Sequence, residues 1–270
     1  MHRRLAFGLA ALVLPALVLP ACALDGSADA STDTASENIA HASAAVTVER
    51  SFDVAFANCT EMASLTPVAI GNLRPLVPAQ YAIANEANGA GFLVVRISNC
   101  AGVTVDGASE GPGTVAQVGV NLVAPSGSGD IDNYTLYYDT TSAHLSARLR
   151  SFGFDSRWLP GIEYATTGTS LSIAVPGRGY SVSGPVTPPT ASAVPFVADW
   201  WSARRTSESK TTTTFTAIQF STANMTITTA RGSELRQVLG APSATFPIFD
   251  SYNQFTIAHM TVTSRLTTPH

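Results

Sequence analysis

Runs in which β-branched or aromatic residues alternate with polar ones recur from Val46 to Ser264, and this period of two constrains the fold more than any other feature. The clearest runs are Val46–Ala57, Gly91–Ser98, Thr114–Ala124, Tyr134–Asp139, Ser170–Val175, Thr213–Phe220, Asn224–Thr229 and Phe255–Ser264. Pro125-Ser126-Gly127-Ser128-Gly129-Asp130 separates two of them with turn-forming residues, which predicts an antiparallel pair joined by a long loop. Helical signals are few. Thr140-Thr141-Ser142 offers capping hydroxyls before Ala143–Phe152, where Leu145, Leu149 and Phe152 share one face and Gly153 ends the pattern. Ser233 and Gly240 bracket a second helix in the same way, and a third short turn is expected over Asn72–Val77, ahead of Pro78. The expected class is α+β: mostly antiparallel strands in a sheet curled into a barrel or cone, with two or three short helices.

Cysteine usage places the chain outside the cytoplasm. Residues 1–24 read as an export signal: His2, Arg3 and Arg4, an apolar stretch from Leu5 to Leu19, then Leu19-Pro20-Ala21-Cys22. That ending resembles the lipobox of bacterial lipoproteins, which implies acylation of Cys22; Ala21-Cys22-Ala23 also fits ordinary signal cleavage. Cys59 and Cys100 remain as a pair for which a disulfide is the default in an oxidising compartment. The loop it would close spans about 40 residues, a constraint worth on the order of 4 kcal/mol. Residues 25–45 are small and polar, too poor in apolar side chains to order themselves, and read as a tether. Residues 46–270 then form a single domain with a core of its own.

Asp25, Asp29, Asp33 and Glu37 in the tether supply much of the net charge of −4, so the domain is nearly neutral and lacks the basic footprint of a nucleic-acid binder. After residue 24 no apolar run approaches the ~18 residues of a membrane span, so contact with a membrane is expected through the lipid anchor only.

Gly71-Asn72-Leu73-Arg74-Pro75-Leu76-Val77-Pro78 followed by a strand, and later the succession of Thr114–Ala124, loop, Tyr134–Asp139 and helix Ala143–Phe152, resemble acetoacetate decarboxylase-like proteins. The resemblance implies a barrel with an interior cavity, and a lysine after the helix that forms a Schiff base with a keto acid. The corresponding stretch here, Ser151-Phe152-Gly153-Phe154-Asp155-Ser156-Arg157-Trp158, holds no lysine, and arginine stays protonated and non-nucleophilic. Schiff-base chemistry therefore does not carry over. Lys210 is the only lysine among 15 basic residues.

Other constellations are weaker. Gly107-Ala108-Ser109-Glu110-Gly111 matches a nucleophile-elbow pattern, but Pro112-Gly113 and a strand follow where a helix is required, so it reads as a loop. Ser207-Glu208-Ser209-Lys210 matches Ser-x-x-Lys within a polar run that has no apolar face to bury a helix. With His270 set aside as the last residue, His144 and His259 are left in the domain and cannot make a three-histidine zinc site, and no metal or cofactor is expected. Asp130-Ile131-Asp132-Asn133 reads as turn capping rather than a calcium loop.

Charges inside apolar strands either face solvent or pair within a pocket, which singles out Glu61, Arg96, Asp139 and Glu163. His259 alternates with Ile257 and Thr261 and joins Glu61 and Arg96 as a candidate acid–base group. Tyr134, Tyr137, Tyr138 and Trp158 surround the helix that the resemblance places near the cavity, and Tyr134, Tyr138 and Trp158, with the strand-borne charge Glu163, are the candidate ligand contacts. Trp200-Trp201 offers either a rim for an apolar ligand or core packing. The expected function is an exported, lipid-anchored envelope protein that holds a small apolar or weakly acidic molecule in a barrel cavity. A general acid–base lyase or hydrolase on the same scaffold is the second reading, and an envelope protein without a cavity the third.

Overall fold

A computed structural model describes residues 49–266, so the signal, Cys22 and the tether lie outside the described residues. Among the described residues twelve strands form two sheets, accompanied by three short α-helices. Seven strands, β1 (Glu49–Ala69), β2 (Ala90–Val105), β3 (Ala108–Asn121), β4 (Ile131–Thr140), β8 (Val194–Arg204), β9 (Ser207–Thr222) and β12 (Phe249–Leu266), hydrogen-bond in the order β1-β12-β9-β8-β4-β3-β2, and β2 returns to β1 so that the sheet closes into a ring. Every neighbouring pair is antiparallel except β4 and β8, which run parallel over Ile131–Tyr134 and Ala198–Trp201. The expected antiparallel pair across the Pro125–Asp130 loop is β3 with β4.

The expected first strand was too short: β1 runs twelve residues past Ala57. Asn58 takes a left-handed backbone (φ 49), which asparagine tolerates, and pairing resumes with Cys59 opposite Cys100. Those two cysteines form the disulfide across β1 and β2.

The ring buries both of its faces along one wall. Inside, Phe52, Val54 and Phe56 of β1 share an apolar cluster with Val105, Met260 and Val262. Helix α2 (Ala143–Ser151), capped by the Ser142 hydroxyl on the Leu145 N–H, packs Leu145 and Leu149 into that cluster and fills one end of the ring. Outside, the five-stranded second sheet, ordered β11 (Ser243–Thr245), β10 (Thr226–Thr229), β7 (Tyr180–Pro185), β6 (Ser170–Val175), β5 (Glu163–Thr167), covers β1 to β4. Leu171, Ile173, Val182 and Ile227 there bury Met62, Val95, Ile97, Val118 and Val120. Such double burial explains why β2 reads Phe-Leu-Val-Val-Arg-Ile almost without polar relief: odd positions Val95 and Ile97 meet the second sheet, even positions Val94 and Arg96 face the ring interior.

Helix α1 (Ile70–Leu73) runs into a single 3-10 turn over Arg74–Leu76, and α3 (Glu234–Leu239) starts on the Ser233 cap and ends at left-handed Gly240, as expected. Among the described residues no helix is long and apolar enough to cross a membrane.

Candidate functional site

The end of the ring opposite α2 stays open as a cavity of about 550 Å³. Its wall is mainly aromatic and aliphatic, with Phe196 and Trp200 from β8, Phe215 and Phe220 from β9, and Leu65 and Ile131 from facing strands. The polar exceptions are concentrated. Arg96 Nε donates to Glu61 Oε2 at 2.7 Å, the two side chains being 5% and 4% exposed, so this is a desolvated pair rather than a surface one. The Ser98 hydroxyl donates to the same oxygen at 2.6 Å, and Asn253 Nδ2 reaches Glu61 Oε1 at 3.3 Å. Gln117 Oε1 accepts from Arg96 Nη1 at 3.4 Å, and the guanidinium lies 5.6 Å from the centre of the Phe215 ring. Burial pushes the hydroxyl of neighbouring Tyr138 up to about 12, so it stays protonated at neutral pH.

Two of the three candidate acid–base residues thus meet, and the third does not. His259 pairs with Ala55 and Thr214 on the outer face of β12 and is exposed, because a period of two sends Ala258 and Met260 inward instead. Of the candidate ligand contacts, Tyr138 is fully buried beside the Glu61–Arg96 pair, and Tyr134 points to the outer face, where it lines a second hollow with Tyr137 and Asp155. Trp158 is 53% exposed, its indole N–H held by the Thr141 carbonyl, and Glu163 lies exposed on β5 in the second sheet. Neither reaches the cavity. Reasoning from sequence missed Gln117 and Asn253, although Gln117 interrupts the apolar run Val115–Val120 as Arg96 interrupts its own strand. The remaining wall residues come from all seven strands of the ring and from the segment between β3 and β4, and only ring closure brings them together.

At the rim, Asp132 and Asp199 sit opposite each other where β4 meets β8. Lys210 binds Asp199 at 2.7 Å, donates to Ser128 at 2.9 Å and lies over the Trp201 ring, which fastens the Pro125–Asp130 loop to β8 and β9. The lone lysine is therefore a tie for the loop, and Ser207 to Lys210 are part of a strand, not a helix. The Asp132 carboxyl accepts one hydrogen bond, from the Trp201 indole N–H at 2.9 Å. Burial first, and the Asp199 charge second, push its carboxyl above the ordinary range.

A carboxyl raised in the folded state contributes stability that is complete below its unfolded pKa of about 3.9 and is lost as pH rises through the folded value. Asp132→Asn keeps the acceptor for Trp201 and removes the charge. It is expected to raise the melting temperature at pH 7 and to leave it unchanged at pH 4, by thermal unfolding at both.

Searches by sequence find no matching protein-family model and no matching curated protein. Solved structures do match. A structure of acetoacetate decarboxylase superposes with a TM-score of 0.57 at 10% identity, over 79% of this chain and 88% of that one. Its fold is that of acetoacetate decarboxylase. The acetoacetate decarboxylase of Legionella pneumophila agrees, with a TM-score of 0.50 at 9% identity over 79% of this chain and 84% of that one. Identity this low establishes the decarboxylase fold and nothing about activity. Within that fold, the segment where the resemblance implied a lysine, Ser151–Trp158, instead sends Phe154 into the ring interior and Asp155 outward to Arg178.

Proposed function

We propose that this chain is an exported, lipid-anchored protein that uses the decarboxylase-type ring as a receptacle for a small, largely apolar molecule. One observation carries the reading: a cavity of about 550 Å³ walled by Phe196, Trp200, Phe215 and Phe220, of the size and character of small-molecule sites. The Schiff-base lysine is missing from its segment, and Lys210 is committed to Asp199. The lyase reading draws on the fold and on Glu61, the one carboxylate paired inside the cavity. Against it, Glu61 already accepts from Arg96, Ser98 and Asn253, and the buried hydroxyl of neighbouring Tyr138 is turned to Met260 Sδ.

Native mass spectrometry of the full chain purified from its own host tests the proposal. The expected result is a discrete small mass that is lost on denaturation, on a mature chain that begins at acylated Cys22. A chain that is empty, and stays empty when challenged with small apolar compounds, would sink the receptacle reading; an unmodified Cys22 would sink the anchor.

A further inference from the structure

The charges around the cavity bear on what it can hold. Its only cation, Arg96, is neutralised by Glu61 at 2.7 Å in a site shielded from water. A ligand carboxylate would therefore have to share one guanidinium with an existing carboxylate, and repulsion between two like charges is poorly screened at such burial. The rim adds to this. Asp130 and Asp132 both contribute to the cavity wall, and Asp199 lies directly behind Gly129, with Lys210 as the single cation among the three. An approaching anion meets a net negative rim and a floor of zero net charge. Hydrogen-bonding capacity nevertheless remains: Glu61 and Gln117 engage two of the five N–H donors of Arg96.

We infer that the ligand is an uncharged, mainly apolar molecule bearing a hydrogen-bond acceptor such as a ketone, ester or amide carbonyl, and that the site rejects carboxylic acids. The inference rests on the receptacle reading and narrows it by excluding the weakly acidic ligands that the sequence left open. Glu61 sets this preference by occupying the cation that an acid would need.

Two fluorescent probes with one ring system separate the alternatives: uncharged N-phenyl-1-naphthylamine and its sulfonated counterpart 8-anilino-1-naphthalenesulfonate, each titrated into the purified full chain. The uncharged probe is expected to bind tighter by about tenfold or more, the factor that corresponds to 1.4 kcal/mol. Equal or tighter binding of the sulfonate would overturn the inference and leave the receptacle reading standing; binding of neither would overturn both. Glu61→Gln frees the Arg96 charge and should shift the preference toward the sulfonate. Asp130→Asn is exposed and still accepts the Val197 N–H, so it tests the rim without threatening the fold. It should narrow the preference, and an unchanged ratio in both variants would overturn the electrostatic account.

Discussion

Replacing Arg178 with methionine is expected to destabilise the fold by about 3–5 kcal/mol, the range for removing one partner of a buried ion pair. Arg178 stands in the 3-10 turn Pro176–Arg178 between β6 and β7, with its side chain 2% exposed. It makes a bidentate contact with Asp139 of β4, at 2.6 and 3.0 Å, and Asp139 is wholly buried. The same guanidinium reaches Glu234 of α3 at 3.1 Å and Asp155 at 3.3 Å, and lies 4.2 Å from the centre of the Tyr137 ring. These partners hold it firmly in the charged form. Methionine fills most of the volume but leaves the Asp139 carboxyl with only the Arg157 N–H, at 2.9 Å. The loss should show as a lower urea midpoint. Adding Asp139→Leu should recover much of it, because the cost comes from the stranded charge rather than from the missing attraction. A single variant within 1 kcal/mol of the parent would mean that water reaches Asp139 and that the hub does not join the two sheets.

Trp200→Ala should destabilise by about 3–5 kcal/mol and enlarge the cavity at the same time. The indole is 1% exposed and stands at the contact between the apolar cluster and the cavity wall. It packs against Gly119 of β3, where a methyl group would come within 2.7 Å of the Trp200 ring and closer still to the Tyr134 carbonyl, so the bare glycine admits both the ring and the β4 backbone. Removing the ring opens an apolar space continuous with the cavity. Such spaces take up small aromatic molecules, so indole at millimolar concentration should raise the melting temperature of the variant by more than it raises that of the parent. Absence of rescue would show that the interior collapses into the gap, and that the cavity is deformable rather than preformed.

The two halves of the candidate site were legible to different degrees. Glu61 and Arg96 announced themselves because a charge in an apolar strand has two physical outcomes, and both residues took the buried, paired one. His259 obeyed the same alternation that suggested it, but from the other face: a strand pattern fixes which residues are companions and does not fix which side is inside. Trp158 is a chain neighbour of α2 and Glu163 a charge beside an apolar strand, and neither property leads to the cavity, because the chain leaves the ring after α2 and β5 joins the second sheet. The helices were legible to within a residue or two because Ser142, Ser233 and Gly240 act locally.

What the sequence determined by itself is therefore the local physics: a β-rich α+β chain, the capped helices, and Cys59 and Cys100 left as the only cysteines after the N-terminal segment. Tertiary structure decided the rest. Closure of β1 on both β12 and β2 turns a curled sheet into a ring with an interior, the parallel contact of β4 with β8 completes it, and the second sheet buries the outer wall. Ring closure places Glu61, Arg96, Gln117 and Asn253 within hydrogen-bond reach across as many as 192 positions of sequence. Strand order and register are long-range choices, set by which faces can be buried together, and no short stretch of the chain encodes them.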